Sequence, residues 1–236
     1  ADPHSFGKPL AALLGALKMQ IALGLPSIGG KDSMSGTFDD KNVPPTLIAF
    51  GITPVKASKV ISTEFKWEGN KLYLIKHTPL ANRMPDTEQL KANWDFVHSQ
   101  IEAGNIVSGW SLGFGGLAEG LAKMCFGNGF GARVKVDEDE LYRLSYGSIL
   151  VESETELDYE NAIYLGEVTD GEDDKLRING SRISLTKLQE AWVARYSKVY
   201  PATAEAEFVF PAADCSAKLR ASRSSHRCAS LAVPPL

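Results

Sequence analysis

Cysteine is scarce in this chain. Three thiols in 236 residues, Cys125, Cys215 and Cys228, are odd in number and too far apart for a Cys-x-x-Cys pair, and four histidines form no cluster at ligand spacing. A disulfide framework and a structural zinc are therefore not expected, and the pattern suits a reducing, cytoplasmic setting. Unbroken apolar runs of 18 residues are also missing, so no membrane span is expected, and the apolar N-terminal segment lacks the basic flank and cleavage site of a secretory signal. Positive charge is in short supply: 25 Lys and Arg stand against 29 Asp and Glu, a net charge of −4. No long basic run with interleaved aromatics occurs before residue 200, which argues against a nucleic-acid surface. The Gly-x-x-x-x-Gly-Lys-Ser/Thr signature of a P-loop is absent as well. What remains is ordinary globular composition, 44% hydrophobic, enough for one large domain or one domain and part of another.

The richest stretch is residues 26–37, Pro-Ser-Ile-Gly-Gly-Lys-Asp-Ser-Met-Ser-Gly-Thr. Gly29 and Gly30 let backbone N–H groups approach an anion closely, Lys31 supplies a positive charge, and Ser33, Ser35 and Thr37 supply hydroxyls. Asp32 suits either orientation of Lys31 or a bond to magnesium. By composition alone the stretch also reads as a plain polar turn, with Asp32 capping it and Lys31 in solvent.

Around this loop the periodicities outline a mixed α/β chain. Leu10, Leu14, Leu17 and Ile21 recur at helical spacing from Pro9 to a stop at Gly24. Thr46–Thr53 reads as a strand buried on both faces, with Pro54 as a domain border. A strand is expected over Lys71–Lys76. A helix capped by Asp86 and Gln89 should follow, with Leu90, Trp94, Val97 and Ile101 on one face. Leu117–Phe126 forms a further helix between glycine clusters. Strands follow at 147–152 and 162–168, and Asn179-Gly180 marks a hairpin. Thr186 and Gln189 suggest the cap of a last helix. From Pro211 the texture turns to Ala, Ser, Arg, Cys and Pro, a linker or a non-native tail.

The words of two stretches go further than their composition. Leu-Gly-Leu-Pro-Ser-Ile-Gly-Gly-Lys-Asp-Ser-Met-Ser-Gly-Thr-Phe-Asp-Asp, followed by Val43-Pro44-Pro45-Thr46-Leu47-Ile48, closely resembles phosphoribosylformylglycinamidine synthase, the ATP-dependent amidotransferase of purine biosynthesis. Residues 113–131, Gly-Phe-Gly-Gly-Leu-Ala-Glu-Gly-Leu-Ala-Lys-Met-Cys-Phe-Gly-Asn-Gly-Phe-Gly, resemble the glycine loop and following helix in that enzyme's second half. The resemblance runs from about residue 8 to about 200.

It implies an α/β fold with a mixed sheet: residues 1–55 as the end of an AIR synthetase N-terminal-like domain, 56–200 as a C-terminal-like domain, and 201–236 as linker or tail. It also implies ATP or ADP with Mg2+, the remaining synthase and glutaminase domains as partners, and a small-molecule nucleotide substrate. The implied phosphate-facing residues are Gly29, Gly30, Lys31, Asp32, Ser33, Gly113, Gly115 and Gly116, with Asp32 at the metal. Relatives in the wider superfamily carry Asp-Gly-Gly where Phe114-Gly115-Gly116 stands here, a departure that removes an anionic group and puts metal coordination there in doubt. Glycines that only permit tight helix packing are the alternative. No catalytic residue is assigned: Glu119 reads as a dipole-favoured acid at a helix start, His77 as a surface or hydrogen-bonded histidine, and Cys125 as a buried hydrophobe. The chain by itself is expected to lack turnover. Rival readings are a stand-alone phosphate-binding module, or another ATP-using member of the superfamily such as a selenophosphate synthetase.

Overall fold

A computed structural model describes residues 3–31, 37–42, 44, 46–171, 175–197 and 199–200. Asp32, Ser33 and the linker or tail expected beyond residue 200 lie outside them. The chain divides into two compact units: one comprises Ala1–Val60 and His77–Glu102, the other Ile61–Lys76 and the chain from Ala103 on.

The first unit opens with α1, Pro3–Leu23. It begins six residues before the expected start, so Pro9 lies inside the helix rather than at its first turn. Its end is as expected: Gly24 takes φ +68°, Gly24 N–H donates to Ile21 O and Leu25 N–H to Gln20 O, a Schellman stop. Lys8 and Lys18 break the apolar run in sequence, yet by length and composition α1 is apolar enough to cross a membrane. None of its residues is buried, and Leu10, Leu13, Leu14, Leu17 and Ile21 are all more than half exposed.

After α1 come the two-residue strands β1, Thr37–Phe38, and β2, Lys41–Asn42, paired antiparallel around a turn in which Asp39 takes φ +52°. The strand expected at 46–53 is not formed: the segment has no regular structure, with Ile48 at 70%, Phe50 at 91% and Ile52 at 98% exposure. Apolar composition favours a buried strand only where a neighbouring strand supplies the backbone partners, and none does so here among the described residues.

In the same unit, Asp86 caps α2, which runs Thr87–Ala103. Asp86 Oδ1 accepts from Gln89 N–H at 3.1 Å, the expected half of a capping box. The reciprocal half is replaced: Asp86 N–H donates to His77 Nε2, and Gln89 Oε1 accepts from Thr78 N–H. His77 is thus buried and hydrogen-bonded. The buried stripe of α2 is Leu90, Asn93 and Val97, whereas Trp94, expected on that face, is 37% exposed.

The second unit is a seven-stranded mixed sheet built from β3 (Lys71–Ile75), β4 (Ile106–Ser111), β5 (Gly131–Val134), β6 (Ile149–Ser153), β7 (Ala162–Thr169), β8 (Lys175–Ile178) and β9 (Ser181–Ser184). Strand order is β4-β6-β3-β7-β5-β8-β9, antiparallel except for the parallel pair β5–β8. Three helices accompany it: α3 (Gly116–Phe126), the short α4 (Glu138–Leu141) and α5 (Leu185–Ala194). The mixed α/β architecture is as expected.

One face of the sheet carries the core. Leu72, Leu74, Leu150, Leu165, Val168, Ala132, Val134, Leu176 and Ile178 pack with Leu117, Leu121, Met124 and Cys125 of α3 and with Leu185 of α5. On β3, β5 and β8 the core residues alternate, Leu72 and Leu74, Ala132 and Val134, Leu176 and Ile178, so the sheet period and the α3 period meet in one layer. The Asn179-Gly180 turn takes φ +51° and +85°, the backbone that a two-residue hairpin between β8 and β9 demands. The last helix is capped by Ser184, whose Oγ accepts from Lys187 N–H, two residues before the expected Thr186.

Candidate functional site

Two glycine-bearing stretches carry the expected site residues, one in each unit. In the first, Ser27 ties the chain leaving α1 back to that helix: its N–H and Oγ both donate to Gln20 Oε1, at 2.9 and 2.7 Å. The chain then runs without regular structure through Gly29, Gly30 and Lys31, all exposed. Neither glycine has a left-handed φ, and a Cβ built on either meets nothing within 4 Å. Packing among the described residues thus does not account for glycine here, and what the missing side chains leave is open access to the backbone amides.

The second stretch is tightly built. Leu112 N–H donates to Ser148 O, and Gly116 N–H donates back to Gly113 O at 3.1 Å, closing the turn between β4 and α3. Gly116 takes φ +63°, and a Cβ there would lie 2.8 Å from Leu141 O and 3.0 Å from Arg143 O. Gly115 faces Glu119: its Cβ would lie 2.5 Å from that residue's Cβ. Both glycines are therefore required by packing, while Gly113 has only an ordinary approach to Glu119.

Glu119, read from sequence as a dipole-favoured acid at a helix start, has a more specific role there. Its Oε2 accepts from Gly115 N–H at 3.1 Å, while its Oε1 accepts from Lys123 Nζ at 2.7 Å. The bond from Lys123 holds the Glu119 carboxyl below its ordinary range against partial burial, with the lysine's charge and the Gly115 amide adding to the effect. A carboxylate already sits at the positive end of α3, where an incoming anion would gather. The only sequence signal is an acid four residues beyond the helix-capping glycine, with a lysine four residues further on. Lys123 in turn lies 5.4 Å from the ring centroids of both Trp110 and Trp192, and Trp192 stacks on Phe126 at 5.8 Å, which fixes α5 beside α3. Cys125, deep in the core, has its thiol pushed up to about 12 by burial and is no nucleophile. Among the described residues no group of three His, Cys, Asp or Glu side chains is placed to hold a metal ion.

In sequence the chain is 27% identical over 220 residues to the phosphoribosylformylglycinamidine synthase subunit PurL of two strains of Lactobacillus delbrueckii subsp. bulgaricus, an alignment that covers 81% of this chain. The chain is related to that synthase subunit. It spans only 30% of the relative's length. Solved structures that the chain matches include phosphoribosylformylglycinamidine synthase II from Thermotoga maritima, at 13% identity and TM-score 0.47 over 66% of this chain and 30% of that one. Thermotoga maritima PurL complexed with ATP matches at 11% identity and TM-score 0.46 over 57% of this chain and 28% of that one. No family model matches the chain.

Proposed function

We propose that this chain is part of an ATP-dependent ligase that converts formylglycinamide ribonucleotide, with glutamine as nitrogen donor, to formylglycinamidine ribonucleotide in purine biosynthesis. The observation that carries the reading is the alignment with the synthase subunit over 81% of the chain. The first unit supports it physically: none of residues 3–31, 39, 40, 44 and 46–60 is buried, and the apolar side chains of α1 and of 46–53 lie open. Exposed apolar surface on that scale marks a face that another part of the protein covers. In this reading residues 1–55 close an N-terminal-like domain and 56–200 form the C-terminal-like domain, with the remaining synthase and glutaminase domains as partners in the cytoplasm.

Within that frame Gly29, Gly30, Lys31 and Ser33 face nucleotide or substrate phosphate, and Asp32 is the carboxylate for Mg2+. Magnesium keeps most of its shell from water and phosphate oxygens, so one carboxylate beside a phosphate-binding loop is a sufficient protein contribution. Bound there, the metal would offset charge on the transferring phosphoryl group. Lys31 supplies a point charge to the same phosphates and the glycine amides supply hydrogen bonds without steric hindrance. The Gly113–Gly116 loop serves chiefly to seat α3, because Glu119 answers its free amide. Assayed alone for ATP-dependent amidine formation, the chain should show no turnover, while a full-length relative does. Turnover by the chain alone would contradict its assignment as one part of a larger catalytic body.

A further inference from the structure

The face of the seven-stranded sheet opposite the α3 and α5 layer is open across β7, β5, β8 and β9. There Arg133 alternates with core-facing Ala132 and Val134, and Arg177 with core-facing Leu176 and Ile178. Strand register brings four charged residues into one transverse row: Glu167 pairs with Arg133, Arg133 with Arg177, and Arg177 with Arg182. Glu167 answers Arg133 through an ion pair of 3.0 Å. The row continues across two more strands with Arg177, which has an interaction of its own within the chain, and Arg182. Like charges directly opposite on neighbouring strands destabilise a sheet. Here they gather in a chain whose net charge is −4.

The row crosses a wide groove of about 1150 Å³, whose lining also includes Lys135, Asp137, Tyr164 and Gly166. Among its charged lining residues the four cations outnumber the two carboxylates, Asp137 and Glu167. Gly166 shapes the floor: at φ +149° any Cβ there would lie 2.0 Å from Arg133 O, so β7 and β5 approach more closely than side chains allow. Neighbouring strands lie about 4.8 Å apart, which spreads the arginine backbones over roughly 10 Å, more than one phosphate group spans. Guanidinium forks match phosphate oxygens in pairs.

We propose that this groove is an anion site for a small molecule bearing two or more linked phosphates, held by Arg177, Arg182 and Lys135. It is separate from the Gly29–Ser33 loop and does not rest on the ligase reading. The test is titration, by calorimetry, of inorganic pyrophosphate, orthophosphate and metal-free ATP into the full chain carrying Lys31→Ala, so that the Gly29–Ser33 loop does not contribute to the signal. Pyrophosphate should bind saturably at one site, at least tenfold more tightly than orthophosphate, and Arg182→Ala should weaken it about tenfold. Arg182 is exposed on β9, so the variant leaves the core untouched; Arg182→Lys, which keeps the charge without the fork, should fall between. Tighter binding of ATP than of pyrophosphate would identify the ligand as a nucleotide, equal binding as a free phosphate chain, and either supports the site. Absence of saturable binding, binding indifferent to Arg182→Glu, or orthophosphate bound as tightly as pyrophosphate would overturn it.

Discussion

Glu152 on β6 and Ser108 on β4 are both fully buried, and the Ser108 hydroxyl donates to Glu152 Oε2 at 2.7 Å. The same carboxylate accepts from Lys66 N–H, Trp67 N–H and Asn70 Nδ2, at 2.7 to 3.0 Å. One buried acid thus fastens the segment entering β3 to the centre of the sheet, and every partner is a donor. A buried charge is tolerable only when it is this fully bonded.

Glu152→Gln puts an NH2 group among those donors. It should lower unfolding free energy by about 2–3 kcal/mol, the cost of leaving buried donors unmatched. Urea denaturation followed by tryptophan fluorescence measures it. An unchanged midpoint would mean that the segment from Lys66 to Asn70 is held by something else.

At the α3 N-terminus, Gly116→Ala adds a Cβ in the left-handed region, a cost of about 1–2 kcal/mol before any clash with Leu141 O is counted. Gly113→Ala, with an ordinary 3.9 Å approach to Glu119, should cost much less. Equal losses in thermal denaturation would refute the packing role assigned to Gly116.

Acid should act on the Glu119 cap with a definite sign. Its carboxyl titrates below the ordinary 4.5, chiefly through the bond from Lys123. The stability it contributes is present above the unfolded value and is lost as pH falls through the lower folded value. Wild type and Glu119→Gln should therefore differ in stability near pH 7 and converge as pH drops below about 4. Thermal melts across pH 3–7 read this directly, and curves that stay parallel to the lowest pH would show that the carboxylate has no such role.

Much of the second unit was legible in sequence because its signals are local. Asn179-Gly180 specifies a turn through two positive φ angles, and the glycines around Leu117–Phe126 bound α3 correctly. The strands β4 and β5 were missed: Ile106–Ser111 mixes Ser, Gly and Trp, and Gly131–Val134 is too short for alternation to show. They are strands because flanking partners supply hydrogen bonds, a tertiary cause that no window of sequence contains.

The opposite holds at 46–53, where apolar residues predict a buried strand and none of the described residues pairs with the segment. At the candidate site the glycines were visible, but their uses were not. Gly29 and Gly30 have empty space above them, whereas Gly115 and Gly116 are filled by Glu119 and by the backbone beyond α4. The arginine row stayed hidden because its members come from three strands and meet only through register.

The central claim, that the Gly29–Ser33 loop faces nucleotide phosphate, is tested most directly by calorimetric titration of ATP with magnesium into the full chain carrying Arg182→Ala, which weakens the separate groove about tenfold. The account predicts saturable binding that falls at least tenfold in Lys31→Ala and becomes insensitive to magnesium in Asp32→Ala. Binding that survives both substitutions unchanged, magnesium response included, would contradict it.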